Sequence, residues 1–290
     1  DAQIALFEFA EGTGDVTMDT SGFGTPIALQ IEGMEWTEGG LRNVSGKAEA
    51  SVADSQKLFD EITPVGEYTI EAWVLADNNA QDGPARVVSY SASTAVRNFT
   101  LGQNAIYYQL RNTTDISDAN GSPALEAATN QVDTVLQHVV VTFDEAVGRK
   151  VYMNGQLDIE EDAPATLAWT NDQVLVLGNE VTNDRLWQGV FNLVAIHNRA
   201  LSGAEIQQNY QAGSGTLTTL SFDVSSITGG QTTIEMLAAP IDDSSYLFAE
   251  PVIVSDITPV RVRNIRIGVN GNIPVCLLYT SDAADDDYTV

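Results

Sequence analysis

The stretch "MDTSGFG" sets Asp19 just ahead of Ser21, Gly22 and Gly24. A short carboxylate followed by Ser-Gly-x-Gly can aim side-chain and backbone oxygens at one point. That suits a hard cation such as Ca²⁺, which takes about six to eight oxygen ligands. The same residues also fit an Asx-turn, in which Asp19 bonds to its own backbone and needs no ion. The sequence leaves both readings open. His138 and His197 are the two histidines, and each falls inside a strand pattern. Two are too few for a multi-histidine zinc site, so a place in the core or along a sheet face is expected.

Acid-base chemistry has a weaker basis. The run "DIEED" (Asp158 to Asp162) is acidic, but Ala163 and Pro164 follow it and it reads as an exposed loop. Paired glycosidase carboxylates must face each other across a bond, and nothing in this run arranges that. No Gly-x-Ser-x-Gly elbow, P-loop or metalloprotease helix occurs. The chain therefore reads as non-catalytic. Among the aromatic residues, Trp73 sits mid-strand and is expected in the core. Trp187, with Arg185 beside it in "TNDRLWQG", lies near a loop, and with Tyr107 these are the candidates for contact with a ligand.

The surroundings of such a site are acidic. In 290 residues, 40 Asp and Glu stand against 13 Lys and Arg, a formal charge of −27. A surface of that sign repels nucleic acid and anionic membranes. It suits divalent cations or salty surroundings, or simply keeps the protein soluble. Cys276 is the only cysteine, so no disulfide framework exists. No apolar run approaches the roughly 20 residues of a membrane span. The chain opens at Asp1 directly into strand pattern, as a mature protein or a fragment would.

Period-two alternation, broken by Gly, Asn and Asp, recurs in "QIALFEF", "YTIEAWVLA", "ARVVSYS", "NFTLGQ", "AIYYQLR", "LQHVVVTFD", "RKVYMNG", "QVLVLGN" and "GVFNLVAIHN". That spacing predicts an antiparallel sandwich or barrel. Asp144 to Gly148 and Asn154-Gly155 read as hairpin turns. Helical spacing is read only in "SGAEIQQNYQA", with Ser202 as N-cap and Glu205 three residues on. A small-residue linker, "QAGSGTLTTLS", then separates a first domain (1–213) from a linker and partial second β domain (214–275). The four Asn-x-Ser/Thr sequons, at Asn43, Asn98, Asn112 and Asn120, carry no assignment.

Four of these segments, in this order, resemble bacterial laminin-G-like, concanavalin A-like jelly-roll domains. They are "IALFEFAEGTGDVTMDTSGFGTPIAL", "YTIEAWVLAD" around Trp73, "QHVVVTFDEAVGRKVYMNGQ", and "GVFNLVAIHNRALSGAEIQQNY" with its Arg-Ala-Leu-Ser corner. The resemblance runs from Ile4 to Gly213 and implies an all-β antiparallel sandwich whose first and closing strands, around Phe7 and Leu193, lie side by side. Relatives often hold a structural Ca²⁺ near the Asp19 loop. The resemblance therefore implies a metal set of Asp19, a backbone oxygen near Gly22, and Asn192. Many relatives have Asp where Asn192 stands, which weakens that set. Laminarinase-type relatives carry Glu-x-Asp-x-x-Glu on one strand, and this sequence does not.

The function implied is a non-catalytic, extracellular, cell-surface or periplasmic module that binds glycan or an extracellular protein ligand. It would act beside other domains of a larger chain, with neither nucleic acid binding nor membrane insertion. An accessory domain of a secreted glycoside hydrolase and a structural spacer are the alternatives. The last segment, 276–290, begins "CLLYTSDAADDD" and resembles the translation of a transposon-end adapter used in DNA sequencing libraries. It is expected to be a non-native tail without packing, ending a truncated second domain.

Overall fold

The computed structural model describes residues 2–129 and 131–214, together with the backbone of short strands between 217 and 280. The chain divides into two compact units, Asp1–Thr216 and Leu217–Val290. In chain order the first unit contains β1 (Gln3–Phe7), β2 (Val16–Met18), β3 (Ala28–Thr37), β4 (Gly40–Glu49), α1 (Val52–Ile62), β5 (Glu67–Ala76), β6 (Gln81–Ser93) and β7 (Val96–Ala105). It continues through β8 (Tyr107–Asn112), β9 (Leu125–Glu126), β10 (Gln137–Asp144), β11 (Gly148–Met153), β12 (Gln156–Glu161), β13 (Val174–Leu177), β14 (Gly189–His197) and α2 (Gly203–Ala212).

Every strand pairing in this unit is antiparallel, along the path β12-β11-β10-β5-β14-β4-β13-β6-β7-β8-β9. The path turns at β14. Its first residues, Gly189 to Phe191, pair with both β4 and β5, whereas later residues pair with β5 and β1. Phe7 lies opposite Val194, so the first and closing strands are neighbours as expected. The two arms of the path face each other across one core. Tyr68 of β5 lies 5.8 Å from Phe99 of β7 and 5.2 Å from Trp169, ring centre to ring centre. The unit is an all-β antiparallel sandwich consistent with a jelly roll.

Turn chemistry matches the sequence at Asn154-Gly155, where both residues have positive φ, 49° and 77°. The "DIEED" segment corrects its loop assignment. Asp158 to Glu161 belong to β12, whose Glu160 and Glu161 pair with Lys150 and Arg149 of β11. Helix α1 was not foreseen. Its inward side rests on Leu58 and Ile62, too short a stripe to stand out. The Ser51 side chain caps it by accepting from Asp54 N at 3.0 Å.

In the second unit Leu217–Leu220 pairs with Ile265–Gly268, and Thr232–Ala238 pairs with Leu247–Phe248, Val252–Val254 and Cys276–Thr280. The start of the expected tail is therefore a paired strand; Leu277, Leu278 and Tyr279 have side chains that suit one. Residues 281–290 lie outside the described residues.

Helix α2 closes the outer face of the β10-β5-β14 arm. Ser202 and Glu205 form a complete capping box at its start. Its Ile206 packs with Val140, Tyr152 and Leu201, apart from the main core. Next to that contact, both histidines converge on Glu71. His138 Nε2 lies 2.9 Å from one carboxylate oxygen and His197 Nε2 3.6 Å from the other, to which Asn209 of α2 donates at 2.8 Å. Tyr210 stacks on Trp73 at 5.7 Å. Trp73 thus lies beneath the helix, on the side away from the main core where it was expected.

Burial alone would raise the Glu71 carboxyl, but the bond from His138 and then the nearby His197 ring, 3.6 Å away, outweigh it and hold its pKa at about 2. A depressed carboxyl stabilises the fold above its ordinary value of 4.5 and loses that contribution as pH falls toward 2. Glu71→Gln should therefore lower unfolding stability at pH 7 by on the order of 2–3 kcal/mol. Urea midpoints taken from pH 7 down to 2 should show wild type and variant converging. A gap that stays constant over that range would show that Glu71 acts through shape alone.

Candidate functional site

The Asp19 loop is held by a side chain from a distant helix. Lys57 of α1 brings its ammonium to 2.7 Å from Asp19 Oδ2, bonds the carbonyl of Phe23, and lies 5.7 Å from the centre of the Phe23 ring. The other oxygen, Oδ1, accepts from Ser21 N at 2.8 Å, which closes an Asx-turn, and from Leu6 N at 3.1 Å on β1. Burial works against the charge, but the Lys57 and Ser21 bonds hold the Asp19 carboxyl below its ordinary pKa. Gly22 supplies the left-handed step of the loop at φ 71°.

These residues do not fit a calcium ion. The Asp19 oxygens are already engaged, and the positive charge is already supplied. The Asn192 amide bonds the carbonyl of Gly39 on another turn, and no hydrogen bond joins it to Asp19. Among the described residues, no three His, Cys, Asp or Glu side chains gather closely enough to share a metal.

A second surface was not anticipated. On β6, β7 and β8 the core takes Tyr90, Phe99, Leu101 and Leu110, which turns the alternate residues outward. Ser89 lies opposite Thr100 and Thr100 opposite Arg111, with Arg86, Gly102 and Gln109 in the next row. Hydrogen bonds thread this face. Arg97 Nη1 donates to Thr100 Oγ1 at 3.1 Å, Thr100 and Ser89 hydroxyls meet at 2.7 Å, and Ser89 donates to Ser91 at 2.9 Å. Ser91 then donates to Glu180, whose other oxygen accepts from Arg86 Nε at 2.9 Å.

Both Glu180 and Arg86 are buried, and so is Arg97. Burial, then the charge of Arg86, brings the Arg97 pKa down to about 9, with Arg111 and Arg185 adding to the effect. Four guanidinium groups thus share one region of a chain that has 13 basic residues in all. Three donor atoms there find no acceptor: Arg97 Nε, Arg111 Nε and Gln109 Nε2. Buried donors are normally paired, and each one left alone costs about 1–3 kcal/mol.

The three ligand candidates from the sequence separate. Arg185 borders the arginine face: its carbonyl accepts from Arg86 N at 3.0 Å, and its side chain is 38% exposed. Tyr107 is half-buried at the start of β8 and packs against the main core. Trp187 is not available to a ligand. It is fully buried, 4.9 Å from Phe191, with its Nε1 donating to Gln103 at 2.9 Å. Its loop folds inward, which proximity to Arg185 in sequence could not show.

The rim ion pair makes a measurable prediction. Lys57→Met leaves the Asp19 carboxylate, 1% exposed, without a charge partner. Loss of one partner of a buried pair costs about 3–5 kcal/mol, so the melting temperature should fall by roughly 10 °C. Wild type should show no melting response to millimolar calcium. A calcium-dependent rise that Asp19→Ala abolishes would show that the loop takes the ion after all.

Comparison with known proteins agrees with this architecture. The family model described as the concanavalin A-like lectin/glucanases superfamily matches residues 46–207. No curated protein sequence matches the chain. Among solved structures, Trypanosoma rangeli sialidase in complex with sialic acid superposes with a TM-score of 0.51 at 15% identity, over 72% of this chain and 32% of the sialidase. The binding domain of botulinum neurotoxin DC superposes in complex with SialylT (TM-score 0.53, 13% identity, 72% of this chain and 51% of that one). It also does so in complex with rat synaptotagmin II (0.54, 13%, 82% and 58%). The chain spans about a third of the sialidase's length and somewhat over half of the toxin domain's, and likeness at this identity concerns the fold alone. With more than half of its length matched to the family, the chain belongs to the concanavalin A-like lectin/glucanase superfamily.

Proposed function

We propose that the first unit is a non-catalytic binding module that recognises a glycan or an extracellular protein through the outer face of β6, β7 and β8. It would act outside the cell, at the cell surface or in the periplasm, beside other domains of a larger chain. The observation that carries this reading is the gathering of Arg86, Arg97, Arg111 and Arg185 along one sheet face of a chain whose formal charge is −27. Arg111 and Arg185 are the members that solvent reaches, and their guanidinium donors can bond a ligand's oxygens. The solved neighbours lend general support, since the sialidase is in complex with sialic acid and the toxin binding domain with SialylT and with rat synaptotagmin II.

Binding is favoured over hydrolysis by the state of Glu180. Its oxygens accept from Arg86, Ser91 and Val181 N, the last at 3.1 Å. A carboxylate so fully engaged is a poor proton donor, and retaining or inverting hydrolysis needs one carboxyl free to give its proton. No step of that kind is assigned to this face.

A glycan array followed by calorimetry on the full chain tests the reading. Wild type should retain one structural class of oligosaccharide without releasing reducing sugar from it. Arg111→Ala should weaken that binding about tenfold or more, the worth of one or two lost hydrogen bonds, while Lys150→Ala on the other arm leaves it unchanged. An array and an extracellular-protein screen that are both blank would sink the proposal in favour of a spacer. Release of reducing sugar would replace it with an enzyme.

A further inference from the structure

We infer that a small cavity at one end of the sandwich is a subsite for the acetamido group of an N-acetylated sugar. The inference does not rest on the arginine face. Four strands meet around this cavity: Asn112 closes β8, Phe143 comes just before the end of β10, Arg149 follows the first residue of β11, and Glu161 closes β12. The loops after β8 and β12 complete the wall with Ile116, Pro123, Ala163 and Ala165. The cavity has a volume of about 60 Å³, room for roughly four water-sized atoms.

Donor and acceptor counts define what fits. A guanidinium carries five N–H groups. Arg149 spends four of them: Nε on Glu161 at 2.8 Å, Nη1 on Asn112 Oδ1 at 3.1 Å and on the Pro123 carbonyl at 3.0 Å, and Nη2 on Glu161. One N–H of Nη2 remains. Both bonds to Glu161 go to Oε2, which leaves Oε1 as an acceptor on a side chain 39% exposed. The two charges cancel. An anion would meet Glu161 and a cation would meet Arg149, so the occupant is neutral, with one acceptor and one donor. Hydroxyl and amide groups both answer that description.

Size and lining separate the two. A hydroxyl oxygen would fill about a quarter of the space and leave the apolar wall facing water. That wall is Phe143, Pro123, Ala163, Ala165 and Ile116, which at 64% is the most exposed large hydrophobic residue among those described. An acetamido group brings an oxygen that accepts, a nitrogen that donates, the carbon between them, and a methyl that suits the wall. It matches the space in size as well. The walls are held before any ligand arrives. Asp115 N bonds the Thr166 carbonyl and Thr166 N bonds Asp115 Oδ1, both at 2.9 Å, which ties the two loops together. Ser117 Oγ accepts from Thr114 N at 2.8 Å, and Arg149 is 8% exposed. Groups fixed in this way lose little freedom on binding.

The test uses the full chain with carbon-13 in its alanine and isoleucine methyl groups, the signals of Ala163, Ala165 and Ile116 being assigned from A163G, A165G and I116V. Three probes that share one sugar backbone are titrated: tri-N-acetylchitotriose, cellotriose and the fully deacetylated glucosamine trimer. Calorimetry runs in parallel. We expect the acetylated probe to bind about tenfold or more tighter than either of the others, as one buried methyl and one added hydrogen bond imply. The three methyl signals should shift with it and stay still with cellotriose. Ala163→Leu, which puts a larger side chain into the cavity from a half-buried position, should remove the preference. Ile116→Ser at the rim should reduce it, and melting curves check that both variants fold. Tighter binding of the deacetylated trimer would overturn the subsite in favour of a cation pocket. Equal affinity for the acetylated probe and cellotriose, or no binding of any probe, would also overturn it. So would a preference that survives Ala163→Leu or leaves the three methyl signals unmoved.

Discussion

Burial of the Glu180 carboxylate is the constraint from which the outer face of β6, β7 and β8 follows. A charge removed from water must be paired and hydrogen-bonded, or it costs several kcal/mol. Arg86, Ser91 and the Val181 amide meet that need together, and they reach it only if the segment after β13 folds back over the sheet. Asn179 holds the segment by accepting from the Glu180 and Arg185 amides, both at 2.9 Å. Asn43 bonds the carbonyls of Gly178 and Trp187, each at 2.7 Å, and so closes the two ends. Trp187 is thereby driven into the core, and Arg185 is left at the edge of the arginine face.

The opposite sheet solves the same problem differently. Glu71 is also a buried carboxylate on an outward face, but its partners are His138, His197 and Asn209, and α2 lies over them. Some atoms beneath the helix, Trp73 Nε1 and His138 Nδ1 among them, also lack partners. Tyr210 stacks across both rings, so that surface is spent on docking the helix. On the arginine face the unpartnered donors belong to charged and amide side chains, and Arg111 and Arg185 extend toward solvent. One face is covered by α2, the other by the segment that carries Glu180.

Much of the sandwich was legible in the sequence because burial of one strand face imposes a period of two. The strands around Phe7 and Leu193 were readable as neighbours from their apolar surroundings, and the structure sets Phe7 opposite Val194; Asn154-Gly155 was readable from its turn chemistry. Helix α1 escaped because Leu58 and Ile62 are nearly all of its inward stripe. The arginine face escaped for a related reason. Unbroken alternation would put Arg86 and Ser91, five positions apart, on opposite sides; register shifts between Arg86 and Val88, and again between Tyr90 and Ser91, bring both to Glu180. The Asp19 loop shows the limit of local reading. Its cation is Lys57, from a helix 38 positions away, and only the tertiary fold brings the two together.

The account stands on one claim, that the arginine face binds a ligand through Arg111 and Arg185, the members that solvent reaches. A crystal structure of the full chain grown with the oligosaccharide that the array retains tests it most directly. The account predicts a ligand oxygen within about 3 Å of the Arg111 or Arg185 guanidinium. Glu180 should keep its bonds to Arg86 and Ser91. A ligand seated at the Asp19 loop, or an arginine face filled only by water in crystals that hold the sugar elsewhere, would contradict it.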